Sequence, residues 1–393
     1  MRLLGSEKPG GCRPALQSII IGGLAASLVR EVKVLRMTSF GSLVRSYRLR
    51  AELGLRTFAG LIDERASVVS AVESHRRAPW RREGVLHRVA EVLGLAESSN
   101  LWQKMVKLAH GHFEPTAAAA ADSGLLAWWC QTEEAPTLDN ATLIELAAFV
   151  GAKISAPAEQ PPTLSALTEL AIEWRVRQLL GRRETQVAAA PVDVEAALEN
   201  NANVQIEVIP GLIPRFSVQS CVVATPGGLT FFIDRIVADS RPMAAYRHLL
   251  ALGYAPAALW QTESQTPWDA LTFRHLQVEA TWPQRLRDCE RFALAMLLPA
   301  NPVLAGAESA YQELVHQQGW PELDDATRTV RNRLAEQFAV PTSLVHRRLT
   351  GWPCHLYGRI AQALSAEETT LPPLDWLIEE KSLRQQTLFD VGV

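Results

Sequence analysis

Apolar positions at Leu55, Phe58, Ala59 and Ile62 follow the spacing of one helix face, and Val68, Val69 and Val72 resume it after a short polar break. The pattern predicts two short helices joined by a tight turn, a geometry that lets the second helix enter a major groove. Further helices are predicted from Val89 to Leu95 and from Leu101 to His110. The run Ala117 to Ala121 reads as linker or helix. A helical segment is then expected from Leu125 through Trp128 and Trp129 to Val150, with Thr142, Leu143, Glu145 and Leu146 in register. The two tryptophans are read as core, not as a stacking platform for bases.

Residues 156–163 have the Pro-rich composition of a linker, and a helix is expected from Leu164 to Arg183. Pro191 sits early in a further helix, where its missing donor costs little. Extended runs follow at Val204–Leu212 and Cys221–Ala224. A Gly-containing turn at Pro226, Gly227 and Gly228 leads into a third, Leu229–Asp234. Helices are predicted from Met243 to Trp260 and from Arg287 to Leu298, the latter ended by Pro299. Two more close the pattern, Leu334–Ala339 and Leu344–Leu349.

The chain of 393 residues has the length of two or three domains, each large enough for a core. Charge is uneven. Residues 38–110 hold 12 Lys and Arg against 7 Asp and Glu, a net of +5, within a chain whose formal net charge is −3. Residues 1–37 add +4, which leaves residues 111–393 at −12. A basic head on an acidic body fits a protein that offers one end to nucleic acid. Arg45, Arg48 and Arg50 precede the helix pair, and Arg76, Arg77, Arg81 and Arg82 follow it, positions suited to phosphates.

Five cysteines, Cys12, Cys130, Cys221, Cys289 and Cys354, lie far apart without a CxxC pair. Neither a disulfide framework nor a Cys-rich zinc site is expected, and a reducing cytoplasm is the natural setting. The apolar run Ile19–Val29 is too short to span a bilayer, so no membrane partner is expected. Residues 1–37 are read as an over-extended or disordered N-terminus, with Met37 as the candidate start.

Residues 38–110 resemble the phage-repressor/Cro-type (Xre) helix-turn-helix family. Ala59 stands in the first motif helix, Ser67 opens the second, and Ser70-Ala71-Val72-Glu73 follows it. His75-Arg76-Arg77-Ala78-Pro79 forms a basic tail, and the last helix ends in Leu93-Gly94-Leu95. Asp63 replaces the glycine frequent at the turn. The resemblance implies a DNA-binding all-α bundle that reads two half-sites as a homodimer. It places Ser67, Val68, Ser70, Ala71 and Ser74 toward the groove and Arg45, Arg48, Arg76 and Arg77 toward phosphates.

Residues 191–300 resemble the ImmA/IrrE-type zinc metallopeptidase domain in their order of helix, small sheet and two helices, the second ending Leu297-Leu298-Pro299. The implied fold is mainly α: a helix-turn-helix bundle, a helical segment at 111–155, a linker and helix at 156–190, an α+β zincin-like domain, and a helical tail at 301–393. The family's chemistry needs His-Glu-x-x-His on one helix, two imidazoles on a metal with a Glu between them activating water. The matching positions hold Leu252, Gly253 and Pro256, and the third-ligand position holds Leu286. Sliding the register by two residues gives Leu250, Ala251 and Tyr254. Neither register supplies a ligand or a base, so no metal or other cofactor is expected. His275 and Glu279 lie one helical turn apart, with His248 on the degenerate helix, and read as a solvated pair.

The leading expectation is therefore a DNA-binding transcriptional regulator. Its second domain would be an inactive peptidase fold kept for dimerisation or for sensing a small-molecule or protein effector. Two other classes are carried beside it: a repressor-cleaving metallo-endopeptidase, and an antitoxin-like or phage-derived protein-interaction module.

Overall fold

Ser39 accepts from the Ser42 amide, the capping arrangement that satisfies a helix's first orphan donors, and opens α1, Phe40–Arg50. The computed structural model describes residues 39–372 apart from 97, 113–123, 133–134, 136, 156–166, 182–190, 262–268 and 352. The N-terminus up to residue 37, the alanine run and the linker at 156–163 lie outside the described residues.

The predicted helix pair is α2, Leu55–Leu61, and α3, Ala66–Glu73, followed by α4, Glu83–Val92, and α5, Asn100–His110. Asp63 takes a φ of +57°, the left-handed turn that glycine favours, so the departure at that position is accommodated by the backbone. Gly41 lets α1 approach α3 closely, since a Cβ there would lie 2.1 Å from the Val72 carbonyl oxygen. Leu43, Phe58, Ile62, Val69 and Val89 are buried among these helices.

The expected helix at Leu125–Gln131 is instead a strand, β1. Leu126, Ala127, Trp128 and Trp129 are all buried, so this stretch is apolar on both faces and packed as core. The helix of that segment begins later, as α6, Asn140–Phe149, capped by Asp139. Next come α7, Glu169–Leu180, and α8, Val194–Asn201. Pro191 is not part of α8, because Asp193 accepts from the Ala196 amide and so fixes the helix start after it.

The remaining strands are β2, Val204–Ile209, β3, Val218–Thr225, and β4, Gly228–Asp234, with the short helix α9, Leu212–Phe216, between β2 and β3. The sheet is mixed and four-stranded, in the order β1-β3-β4-β2. β3 and β4 form the expected antiparallel hairpin, β1 pairs antiparallel with β3, and β2 runs parallel to β4. β2 is thus an edge strand, and an open edge calls for a cover.

After α10, Arg235–Ser240, the long helix α11 spans Met243–Pro256. The missing donor at Pro256 predicts a stop or kink near Ala255. The chain widens there into a π-helical turn, Ala257–Gln261, and carries Trp260 into the core. Two more helices follow, α12, Ala270–Gln277, and α13, Trp282–Leu297, and the tail is helical: α14, Ala300–Gln318, α15, Leu323–Phe338, α16, Thr342–Thr350, and α17, Leu356–Ser365. Arg348 of α16 is buried and donates to both carboxylate oxygens of Glu173 on α7, at 2.5 and 2.9 Å. One continuous cluster of buried apolar side chains runs from Phe40 to Leu371. The chain is mainly helical with one small sheet. No single helix among the described residues is long and apolar enough to cross a membrane.

Candidate functional site

Helix α3 starts without a capping side chain of its own. The cap comes from α10: Asp239 accepts from the Ser67 amide at 3.2 Å and from the Ser67 hydroxyl at 2.7 Å. One turn on, buried Ser70 meets the open edge of β2, its Oγ accepting from the Val208 amide at 2.9 Å. The Arg76 guanidinium donates to the Val208 carbonyl at 3.1 Å and lies 3.5 Å from Glu207. Both outward-facing backbone groups of Val208 are therefore taken by side chains of the α3 region.

A second contact joins α1 and α2 to α8. Asp193 accepts from the Gly54 amide and the Thr57 hydroxyl, both at 2.9 Å. Glu195 accepts from the Arg56 amide at 2.7 Å, while the Arg56 guanidinium lies over the Tyr246 ring, 5.0 Å from its centre. The Tyr246 hydroxyl also donates to Glu195. Burial, and then the nearby Asp193 carboxylate, push the Glu195 carboxyl up to about 8.

Arg48 sits at the centre of that contact with no exposed surface. It donates to Glu73 at 2.8 and 2.9 Å, to Glu199 at 2.6 and 3.0 Å, and to the Leu53 carbonyl at 2.8 Å. These bonds use every N–H a guanidinium has. Burial opposes its charge, and Glu73 and Glu199 more than offset that, raising its pKa.

The site residues expected from the sequence divide accordingly. Ser67, Val68, Ala71, Arg76 and Arg77 come together on one cleft of about 290 Å³. Val208, Pro210, Arg235 and Arg65 also line it. Arg48 and Ser70 do not face solvent. Both are buried, the first in the carboxylate network and the second against β2. Ser74 turns inward, donating to the Ser70 carbonyl at 2.7 Å and accepting from Arg76 Nε at 2.9 Å. Arg45 lies 3.5 Å from Glu199. Burial lowers the pKa of Arg76, and Glu207 works against that shift.

Sequence reasoning missed the acidic partners Asp193, Glu195, Glu199, Glu207 and Asp239, and the cleft residues Arg65 and Arg235. A signal existed in the charge asymmetry. A basic head and an acidic body complement each other as well as the head complements phosphate.

The positions compared with the peptidase motif in the sequence, Leu252, Gly253, Pro256 and Leu286, lie on α11 and α13. A Cβ on Gly253 would stand 2.3 Å from Phe231 Cζ, and the Gly253 carbonyl accepts from Trp128 Nε1 at 2.6 Å. Pro256 is buried and Leu252 half-buried, while Leu286 is exposed. In the alternative register Leu250 and Ala251 have no exposed surface, and Tyr254 packs near Phe292. At Gly253 the backbone is thus pressed on an aromatic ring. His275 is exposed, and Glu279 lies beyond the end of α12. Among the described residues no group of three or more His, Cys, Asp or Glu is placed to hold a metal ion. Cys130, Cys221, Cys289 and Cys354 are free thiols, and burial pushes Cys130 up to about 11. No protein-family model, curated protein or solved structure matches the chain.

Proposed function

We propose that this chain is a helix-turn-helix regulator of transcription that binds double-stranded DNA. Under this reading a metallopeptidase-like body, kept without the family's catalytic residues, holds the reading helix closed. One observation carries the reading. The face of α3 bearing Ser67, Val68 and Ala71 is opposed by β2 and α10, and arginines stand around the same cleft. Asp239, Glu207, Glu199, Glu195 and Asp193 give this head the oxygen acceptors that a DNA backbone would otherwise supply.

Opening releases the contacts to β2 and α10 together with those to α8. Each hydrogen bond nets about 1 kcal/mol, more where a charge is involved. The open form is therefore scarce, and apparent duplex affinity is reduced by its fraction. Reading two half-sites also calls for a homodimer, with light scattering on free and duplex-bound protein as the check.

The test uses body residues that do not touch DNA under this reading. The double variant Asp239→Asn with Glu199→Gln loosens both contacts and should bind duplex more tightly than the parent, with affinity falling steeply as salt rises. Absence of salt-sensitive duplex binding by both proteins would overturn it. A second reading is favoured by the closed network around Arg48: the head is a permanent part of the body and the whole is a protein-interaction module. In that case the double variant loses stability and gains no duplex binding.

A further inference from the structure

The cleft between α3 and β2 carries more positive charge than its contacts use. Arg76 has Glu207 at 3.5 Å. Arg65, Arg77 and Arg235 are exposed, and no carboxylate lies within ion-pair distance of any of them among the described residues. Of the carboxylates near this cleft, Glu207 is engaged by Arg76, Asp239 faces the Ser67 amide and hydroxyl, and Asp234 beside Arg235 accepts from the Gly211, Ile213 and Ile236 amides. Four guanidiniums against three occupied carboxylates leave a surplus of positive charge. Between them the walls are apolar, formed by Val68, Ala71, Val208 and Pro210.

We infer that this cleft binds a small organic anion, a phosphate or carboxylate group on a short apolar body, bridging Arg77 of the head and Arg235 of the body. Guanidiniums recognise planar or tetrahedral oxyanions through paired donors. The volume of about 290 Å³ lies at the small end of ligand sites, so the occupant is compact. A duplex does not fit a cleft of that size while α3 stays against β2. Because its arginines come from both sides, the anion binds the closed arrangement best and adds to its stability by mass action. This effector role rests on the proposed regulator, whereas the binding itself does not.

Phenyl phosphate is a suitable probe, titrated into the full chain by calorimetry without DNA, with inorganic phosphate and phenol alongside. Saturable binding of phenyl phosphate is expected, tighter than either fragment. Arg235→Ala and Arg77→Ala should each weaken it about tenfold, a change of 1.4 kcal/mol, and Arg328→Ala on the distant α15 should leave it unchanged. Both site arginines are exposed, so the variants keep their fold. Failure to saturate at millimolar probe would overturn the inference, as would binding indifferent to Arg235→Ala and Arg77→Ala. A second arm measures duplex affinity of the Asp239→Asn, Glu199→Gln variant with and without phenyl phosphate. A weakening of at least several-fold is expected. Probe binding with no duplex binding under any condition would leave the anion site standing and remove the regulator.

Discussion

Replacing Arg48 by Met separates the two roles this residue can have. As a phosphate contact, it would contribute to duplex affinity and little to folding. In the structure it is fully buried, with all its donors engaged by Glu73, Glu199 and the Leu53 carbonyl. Met fills similar space but leaves two carboxylates facing each other, with only the partly exposed Arg45 near Glu199. Breaking a buried pair from one side costs about 3–5 kcal/mol, and the orphaned Leu53 carbonyl adds roughly 1 kcal/mol. A loss of about 4–6 kcal/mol is a large share of the roughly 5–15 kcal/mol that holds a domain folded. Arg48→Lys keeps the charge but offers three donors in place of a planar fork, so it should fall between Met and the parent. Urea unfolding followed by circular dichroism gives the midpoint and slope, and a lower midpoint at unchanged slope reports stability alone. If Arg48→Met unfolds within about 1 kcal/mol of the parent while duplex binding collapses, the buried network is not what holds the head, and the phosphate role returns.

Glu195 makes stability depend on pH. Its carboxyl is raised to about 8 by burial, so the folded chain keeps a proton that the unfolded chain loses near its ordinary 4.5. Its contribution is fully present below about pH 4.5 and is lost as pH rises through about 8, on the order of 3–5 kcal/mol. Glu195→Gln should flatten that slope in melts taken across the window, and an unchanged slope would refute the assignment. Gly253→Ala puts a methyl into the Phe231 ring and should cost about 1–3 kcal/mol. Phe231→Leu in the same chain should recover part of that loss in denaturant titration, and full additivity of the two would count against the clash. Ser70→Ala leaves the Val208 amide unpaired at a buried edge, a loss of about 1–3 kcal/mol. Faster hydrogen exchange at that amide is the readout, and unchanged exchange would deny the contact. Arg77→Ala should leave melting unchanged, weaken duplex binding of the loosened variant and reduce its salt slope by about one.

The helix pair was legible because its apolar spacing is regular and its turn is short. Even the exception at Asp63 was readable, since Asp tolerates the φ of +57° that it adopts. β1 was not legible, for a physical reason. Leu-Leu-Ala-Trp-Trp-Cys is apolar throughout, and a register shift between Leu126 and Trp128 removes the alternation that marks a strand. The site was half legible. Residue type and position brought Ser67, Val68, Ala71, Arg76 and Arg77 to one cleft. Type alone cannot tell a guanidinium meant for phosphate from one meant for carboxylate, because both present the same oxygens. Arg48 and Arg76 fell on the carboxylate side. Asp193, Glu195 and Glu199 lie in and just before one short helix, yet nothing local to α8 names the distant amides of Gly54 and Arg56 as their partners.

Helix α11 is occupied with contacts to other parts of the fold along its length. At its start Tyr246 donates to Glu195, which in turn holds the Arg56 amide of the head. Beside it Arg247 donates to the Phe338 and Ala339 carbonyls at the end of α15, at 3.0 and 2.7 Å. Farther along, Gly253 rests on Phe231 of the central sheet and accepts from Trp128. Three parts of the fold therefore meet on α11: the head through Tyr246, the helical tail through Arg247, and the sheet through Gly253. The same engagement gives a route by which an event at the tail or the sheet can reach the contact that holds the head. Under the proposed reading, a change that moves α11 shifts the Tyr246–Glu195 pair first, and the α8 contacts to Gly54, Arg56 and Arg48 follow from it.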